Sequence, residues 1–316
     1  MIFNRLKRPA PRLAPELDDR DLGRVCHQLD VRNNARARPL TAPLAERLLK
    51  DAGRDWDRRA HRLAVLAAVT RPHSQYSWIE QAPDSPEAQT LFAWGAMVRG
   101  TQHPLPHDEM NTALNACHSA ARLEPSDPNP WVARLALLRQ WRRPPQEVFP
   151  LRREITTRDP WHREAHLQMF GYLSPGEYGS HAQALEFVDQ VRSSAPATAP
   201  TAALGLHSLL GRYFGIVSQS GTKALMADHF WSSHEADQIL SHGVTEWTRP
   251  GHLVHAEAIR DLNFLAFALI AAKQTSVAAP VFQAVRGLVT DSPWNHEGQD
   301  PVVAFMNAQD RSDPPR

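Results

Sequence analysis

Three observations on the sequence predict an all-α protein built from helical hairpins. Apolar residues recur at three-to-four spacing along most of the chain, which is the period of an amphipathic helix. No alternating apolar and polar segment of strand length competes with this pattern, and no Asn-Gly or Asp-Gly hairpin turn occurs. A fixed spacing of small or apolar residues and proline also returns along the chain, as expected of repeated structural units.

The N-terminal segment, residues 1–72, is predicted to combine a loose basic tail with capping helices. Acidic residues at 18–21 favour the positive N-terminal end of a helix that runs to Leu29. Two further helices, over 44–49 and 56–69, are separated by an Asp-Ala-Gly turn and are predicted to form one hairpin.

The rest of the chain divides into a middle segment, 73–217, and a C-terminal segment, 218–316. A proline-bearing loop is predicted over 71–86, and helices follow it with short breaks. These predicted helices cover 87–99, 108–123, 130–141, 146–157, 161–173, 180–193, 201–217, 222–242, 252–272 and 277–289. The middle segment is regular, the C-terminal segment is less regular, and residues 310–316 are predicted to form a frayed tail.

Three consecutive predicted helices share one template, in which two small or apolar residues stand seven apart and a proline follows five residues later. Its members are Ala113, Ala120 and Pro125; Val148, Ile155 and Pro160; and Ala184, Val191 and Pro196, with a fourth copy at Val281, Leu288 and Pro293. Residues seven apart lie on one face of a helix, and proline ends the helix. The template therefore predicts second helices of hairpins, stacked in a solenoid or a compact array.

The residues around the first copy resemble a tetratricopeptide repeat. The matching positions are Ala116, Ala120, Leu123, Glu124, Pro125, Asp127, Pro130, Trp131 and Leu135. The template prolines recur after 35 and then 36 residues, close to the repeat of roughly 34, although the usual glycine and tyrosine after Trp131 are missing. A weaker resemblance, over 159–188, is to uncharacterised tetratricopeptide-like bacterial proteins with a domain of unknown function. Both resemblances imply helical hairpins, and neither implies an activity.

The distribution of charge suggests what the N-terminal segment does. Residues 1–72 hold 16 Lys and Arg against 9 Asp and Glu, a net charge of +7, and the remaining residues hold 19 against 25, a net charge of −6. The basic segment therefore either docks on the acidic remainder or binds an acidic partner. We expect docking, because Leu63, Leu66 and Val69 form an apolar stripe on its second predicted helix.

Several functional classes are excluded by missing sequence features. The opening residues lack the apolar stretch of a signal peptide, and no apolar segment reaches the roughly 18 residues that cross a bilayer. Glycine-rich phosphate loops, a Gly-x-Ser-x-Gly elbow and Cys-x-x-Cys pairs are missing, so no cofactor is expected. Cys26 and Cys117 fit a reducing compartment. We expect a cytoplasmic protein with no membrane contact, and the scattered tryptophans do not favour nucleic-acid binding.

The first functional hypothesis is a non-catalytic binding or scaffold protein with a protein or peptide partner. In helical-repeat proteins, residues of the first helix of each hairpin line a concave groove. Alignment with the tetratricopeptide pattern gives the polar candidates for that groove as Asn129, Arg139, Gln140, Glu164 and Gln168.

The alternative hypothesis is a helical enzyme whose pocket lies in the C-terminal segment. Titratable side chains gather there beside an apolar helix, which could perturb their pKa values. The candidates are His229, His234, His252, His255, Glu257 and Asp261. A separate pair, His162 and His166, stands four apart on one helix and could share a divalent metal, but no third ligand is identifiable, so no metal site is predicted.

Overall fold

A computed structural model describes residues 9–29, 41–218, 227–296 and 298–312. Nearly all regular structure in these ranges is helical, which confirms the all-α prediction. The helices are α1 (Arg20–Leu29), α2 (Thr41–Asp51), α3 (Trp56–Val69), α4 (Pro72–Gln81), α5 (Pro86–Gln102), α6 (His107–Leu123), α7 (Asn129–Gln140), α8 (Pro145–Arg158), α9 (Arg163–Tyr172), α10 (His181–Ser194), α11 (Leu204–Val217), α12 (Ala227–Phe230), α13 (His234–His242), α14 (Ala258–Ala271), α15 (Thr275–Val285) and α16 (Pro301–Ser312). No described helix is long and apolar enough to cross a membrane.

The chain forms two compact units whose boundaries differ from the predicted segments. Asp19–Ala195 forms the hairpin unit, and the described parts of Met1–Asp18 and Pro196–Arg316 form the C-terminal unit. The predicted boundaries after residues 72 and 217 therefore do not coincide with these units. The first lies inside the hairpin unit, because α3 packs against α5, and the second lies inside the C-terminal unit, because α11 packs against α14.

The seven-plus-five template marks the second helix of three successive hairpins in the hairpin unit, α5–α6, α7–α8 and α9–α10. Its paired positions on α6, α8 and α10 are all buried, from Ala113 and Ala120 to Ala184 and Val191. Each helix ends two residues before the template proline, and the first residue beyond the helix donates its backbone N–H to the carbonyl of the second template position. The prolines therefore stop these helices as predicted.

The first helices of the hairpins lie beside one another. The helix α5 contacts α3, α4, α6 and α7, and α7 contacts α5, α6, α8 and α9. Tryptophan links two of these helices, because Trp94 Nε1 donates to the carbonyl of Asn129 at 3.2 Å. The helices α5, α7 and α9 thus form a layer against which the second helices pack.

The structure corrects four predictions of secondary structure. The helix predicted over 222–242 is interrupted at 231–233, between α12 and α13. The supposed loop at 71–86 contains α4, which begins with a proline at its first turn and buries Gln75 and Trp78. Leu288 of the fourth template copy belongs to a two-residue strand, because α15 ends at Val285 and Arg286 adopts φ +56°. Residues 301–312 are helical, and the predicted frayed tail at 310–316 therefore overlaps α16, with 313–316 outside the described residues.

The C-terminal unit is organised around the apolar helix α14, which packs against α11, α13, α15 and α16. Two short strands, β1 (Arg12–Leu13) and β2 (Leu288–Val289), pair in parallel. This pairing joins the two segments of the unit that are far apart in the sequence. Asn263 interrupts the apolar run of α14 and is fully buried. Its amide donates to the carbonyls of Ile259 and Leu288 and accepts from Trp294 Nε1 at 2.8 Å, so the polar atoms of this side chain are satisfied.

Two arginines of α3, a helix of the basic N-terminal segment, are buried and paired within the hairpin unit. Arg59 is 4% exposed, and its Nε donates to Asp127 Oδ2 at 2.8 Å while Nη1 donates to the carbonyl of Leu49. Arg62 is 1% exposed and donates to Asp19 Oδ2 at 2.7 Å. The Asp19 carboxylate also accepts from the first turn of α1, as predicted for the acidic residues at 18–21.

Replacing Arg59 with alanine is expected to lower the free energy of unfolding by about 3–5 kcal/mol, because it leaves the buried Asp127 carboxylate without its guanidinium. Urea denaturation measures this change. The matched control is Arg58→Ala, which removes an exposed guanidinium paired with Asp55 and is expected to cost less than about 1 kcal/mol. Equal costs at the two adjacent positions would contradict the interpretation.

Candidate functional site

A buried polar network joins the N-terminal ends of the first helices. It consists of Glu87 at the start of α5, Arg59, Asp127, Asn129 at the start of α7, and His162 just before α9. Asp127 Oδ1 accepts from both the backbone N and the Nδ2 of Asn129 at 2.8 Å, and Arg59 Nη2 lies 3.7 Å from Glu87 Oε1. Every member is at most 5% exposed. Asn129 was predicted to line a groove, and the structure corrects this, because its amide is used inside the core.

The hydrogen bonds of the buried polar network fix His162 as a neutral imidazole. Its Nδ1 accepts from the backbone N of Ala165 at 3.4 Å and caps α9, so the remaining proton is on Nε2, which faces Asn129 Oδ1 at 3.4 Å. Burial, and then the neighbouring His166, lower the pKa of His162 to about 3. Burial also lowers the pKa of His166, with a smaller contribution from Arg152.

The histidine pair is therefore a structural element in the described part of the chain. His166 Nδ1 donates to the carbonyl of His162 at 3.0 Å, and its ring lies between Trp161 and Phe187 with centroids 6.3 and 5.9 Å away. Within the described residues, no three His, Cys, Asp or Glu side chains are placed to hold a metal ion together. Both ring nitrogens of His162 and the Nδ1 of His166 face protein groups instead.

A second network, here called the surface polar network, links the C-terminal end of α7 to α9 and to the loop that follows α9. It consists of Glu164, Gln168, Arg139 and Glu177, three of which are predicted groove residues. Gln168 Nε2 donates to Glu164 Oε1 at 2.7 Å, and Gln168 Oε1 accepts from Arg139 Nη1 at 2.7 Å. Arg139 also holds the carboxylate of Glu177, and all four side chains are half-buried. The sequence missed Glu177, which lies between α9 and α10.

Two glycines make room for long side chains of α7. A Cβ added at Gly171 of α9 would lie 2.3 Å from Arg139 Nη2, and one at Gly100 of α5 would lie 2.1 Å from Gln140 Oε1. Gln140 crosses to α5 and donates to the carbonyl of Met97 at 2.9 Å. Gln140, the fifth predicted groove residue, is half-buried and is not part of the surface polar network.

In the C-terminal unit, a buried carboxylate lies between two imidazoles. Asp261 of α14 is fully buried, and its Oδ1 accepts from His207 Nε2 of α11 at 3.0 Å. Its Oδ2 lies 3.3 Å from His255 Nε2. His255 Nδ1 is buried without a hydrogen-bond partner among the described residues. The structure thus brings together His255 and Asp261 of the predicted pocket and adds His207, 54 residues before Asp261, which the sequence did not indicate.

The remaining predicted pocket residues are exposed or make other contacts. His229 and His234 are exposed, and His234 lines an open cleft of about 580 Å³ together with Asp237 and Lys273. His252 Nδ1 lies 3.9 Å from Glu246. Of the two carboxylates in the predicted pocket, Glu257 pairs with Arg260 at 2.9 Å, and Asp261 is the one already described in the cluster. Of the six predicted pocket residues, the described contacts therefore join only His255 and Asp261 directly.

No protein-family model matches the chain, and no curated protein or solved structure matches it. The functional argument therefore depends on the geometry of the chain's own side chains.

Acidification is expected to destabilise the hairpin unit through His162. In the unfolded chain this histidine takes up a proton near pH 6.5, whereas in the folded chain its pKa is about 3. Between these two pKa values, only the unfolded state binds a proton at this histidine. The free energy of unfolding therefore keeps its full value above the unfolded-state pKa. It falls as the pH drops below that pKa, by up to about 1.4 kcal/mol per pH unit.

The variant His162→Asn tests this, because asparagine keeps a cap for α9 and removes the titrating ring. Urea denaturation between about pH 7 and about pH 5 should show a shallower loss of stability in this variant than in the wild type. The matched control His118→Asn, at an exposed position of α6, should follow the wild type. Parallel curves for all three proteins would show that His162 does not carry the effect.

Proposed function

We propose that this chain is a non-catalytic binding or scaffold protein, and that its hairpin unit receives a protein or peptide partner on the surface formed by α5, α7 and α9. The observation that carries this proposal is the surface polar network. Three of its four half-buried side chains come from two neighbouring first helices, and hydrogen bonds hold them in one orientation. A surface ordered before binding loses less side-chain entropy when a partner arrives.

The hairpin architecture supports the same proposal. The helices α5, α7 and α9 are successive first helices that contact each other, and α6 and α8 each contact the first helix that follows. We infer that this is a tetratricopeptide-like stack, in which a row of first helices offers a continuous surface and the second helices lie behind it. The regular spacing of the template prolines is consistent with such a stack.

A peptide-display selection on the full-length protein tests the proposal. Arg139→Gln removes a charge within the surface polar network, and Arg153→Gln makes the same change at an exposed position of the second helix α8. Selected peptides should lose about tenfold or more in affinity for Arg139→Gln, while Arg153→Gln should bind them as the wild type does. The proposal is wrong if no peptide is enriched, or if the two variants lose affinity equally.

A second candidate function is acid–base catalysis in the C-terminal unit. The observation that favours it is the buried Asp261 carboxylate, which can orient and charge-stabilise the imidazoles of His207 and His255. His207 is the more accessible imidazole, with a side chain that is 14% exposed. We infer that His207 would exchange the proton with a substrate and that Asp261 would hold its ring.

Chromogenic ester, amide and phosphoester substrates assay this second candidate with the full-length protein. Any activity should fall by about 100-fold or more in Asp261→Asn, because the neutral amide no longer stabilises a protonated imidazole. Asp310→Asn, the same change at an exposed position of α16, should leave the activity intact. An activity that survives Asp261→Asn, or no turnover of any substrate, argues against catalysis at this cluster.

A further inference from the structure

The guanidinium of Arg139 holds a carboxylate in a forked geometry. Its Nε lies 2.9 and 2.8 Å from the two oxygens of Glu177, and its Nη2 donates to Glu177 Oε1 at 2.6 Å. Hydrogen bonds between arginine and a carboxylate are directional and strong when both partners are ionised. Arg139 therefore binds the carboxylate group of Glu177 through directed hydrogen bonds to both of its oxygens.

The side chains that bind or orient around the carboxylate lie on helices. Arg139 lies on α7, and its Nη1 is held by Gln168 of α9, whose amide is in turn oriented by Glu164. Gly171 of α9 leaves the space that the guanidinium fills, since a Cβ there would lie 2.4 Å from Arg139 Cζ. The guanidinium is thus fixed independently of the carboxylate that it binds.

The carboxylate itself comes from a loop. Glu177 lies in the segment 173–180 that connects α9 to α10, and the hydroxyl of Tyr178 attaches this segment to the carbonyl of Arg142. The side chains of Arg139 and Glu177 are 26% and 23% exposed. Solvent, and hence a competing carboxylate, has access to the pair. A loop residue can be displaced without unfolding either helix.

We propose that Arg139 and Gln168, with the space at Gly171, form a carboxylate-binding site for an acidic peptide, and that Glu177 occupies this site as an internal competitor. The inference rests on the proposed binding function and names the chemistry of its partner. A carboxylate fits better than a phosphate, because the site has a single guanidinium and the group that it already holds is the Glu177 carboxylate.

Binding of a fluorescently labelled hexaglutamate peptide to the full-length protein tests the proposal by anisotropy at low salt. Glu177→Gln should bind the peptide about tenfold more tightly than the wild type, because the amide no longer satisfies Arg139. Glu147→Gln removes the same charge from another ion pair, Arg143 with Glu147, and should gain much less. Adding Arg139→Lys to Glu177→Gln should abolish the gain, since lysine cannot form the fork.

A second variant keeps the test valid if Glu177→Gln is poorly folded. Glu177→Asp retains the charge but shortens the side chain, so it should weaken the internal pair and raise peptide affinity to an intermediate value. Equal affinities of the wild type, Glu177→Gln and Glu177→Asp would overturn the inference, as would an equal gain in Glu147→Gln. If display-selected peptides still depend on Arg139 in that case, the binding function stands without an internal competitor.

Discussion

The packing of the hairpin unit depends on the neutralisation of the buried guanidinium of Arg59. Arg59 is withdrawn from water on α3, and a charge in that position is tolerated only with an opposite charge and saturated hydrogen bonds. Asp127 supplies the charge from the turn between α6 and α7, and the carbonyl of Leu49 supplies a further acceptor at the end of α2. Three hairpins therefore meet in one arrangement, because any other would leave Arg59 or Asp127 unpaired.

This constraint also positions the candidate binding surface. Asp127 fixes Asn129 at the first residue of α7, and Arg139 lies ten residues later, roughly 15 Å along the same helix. The neighbouring helix α9 follows His162 directly, and Glu164 and Gln168 lie within its first two turns. The buried polar network therefore fixes the starts of the two helices that carry three members of the surface polar network.

The sequence predicted those elements whose signal is local. The second helices were found because burial at seven-residue spacing and a terminating proline both appear within a dozen residues, as at Val148, Ile155 and Pro160. The helix α4 was missed because its buried side chains include Gln75 beside Trp78, which gives little apolar periodicity. Leu288 followed the template, yet it joins a strand whose partner, Arg12–Leu13, lies at the other end of the chain.

Only some of the candidate site residues could be predicted from the sequence, for a related reason. A polar residue on a first helix can face solvent or join an internal network, and the helical pattern is the same in both cases. Asn129 is buried and bonds to Asp127, two residues before it. Arg139 is half-buried and bonds to Glu177, 38 residues later. The same holds for Asp261, whose partner His207 lies 54 residues earlier. Since such partners come from other elements, the function of each polar position depends on tertiary contacts that residue spacing does not specify.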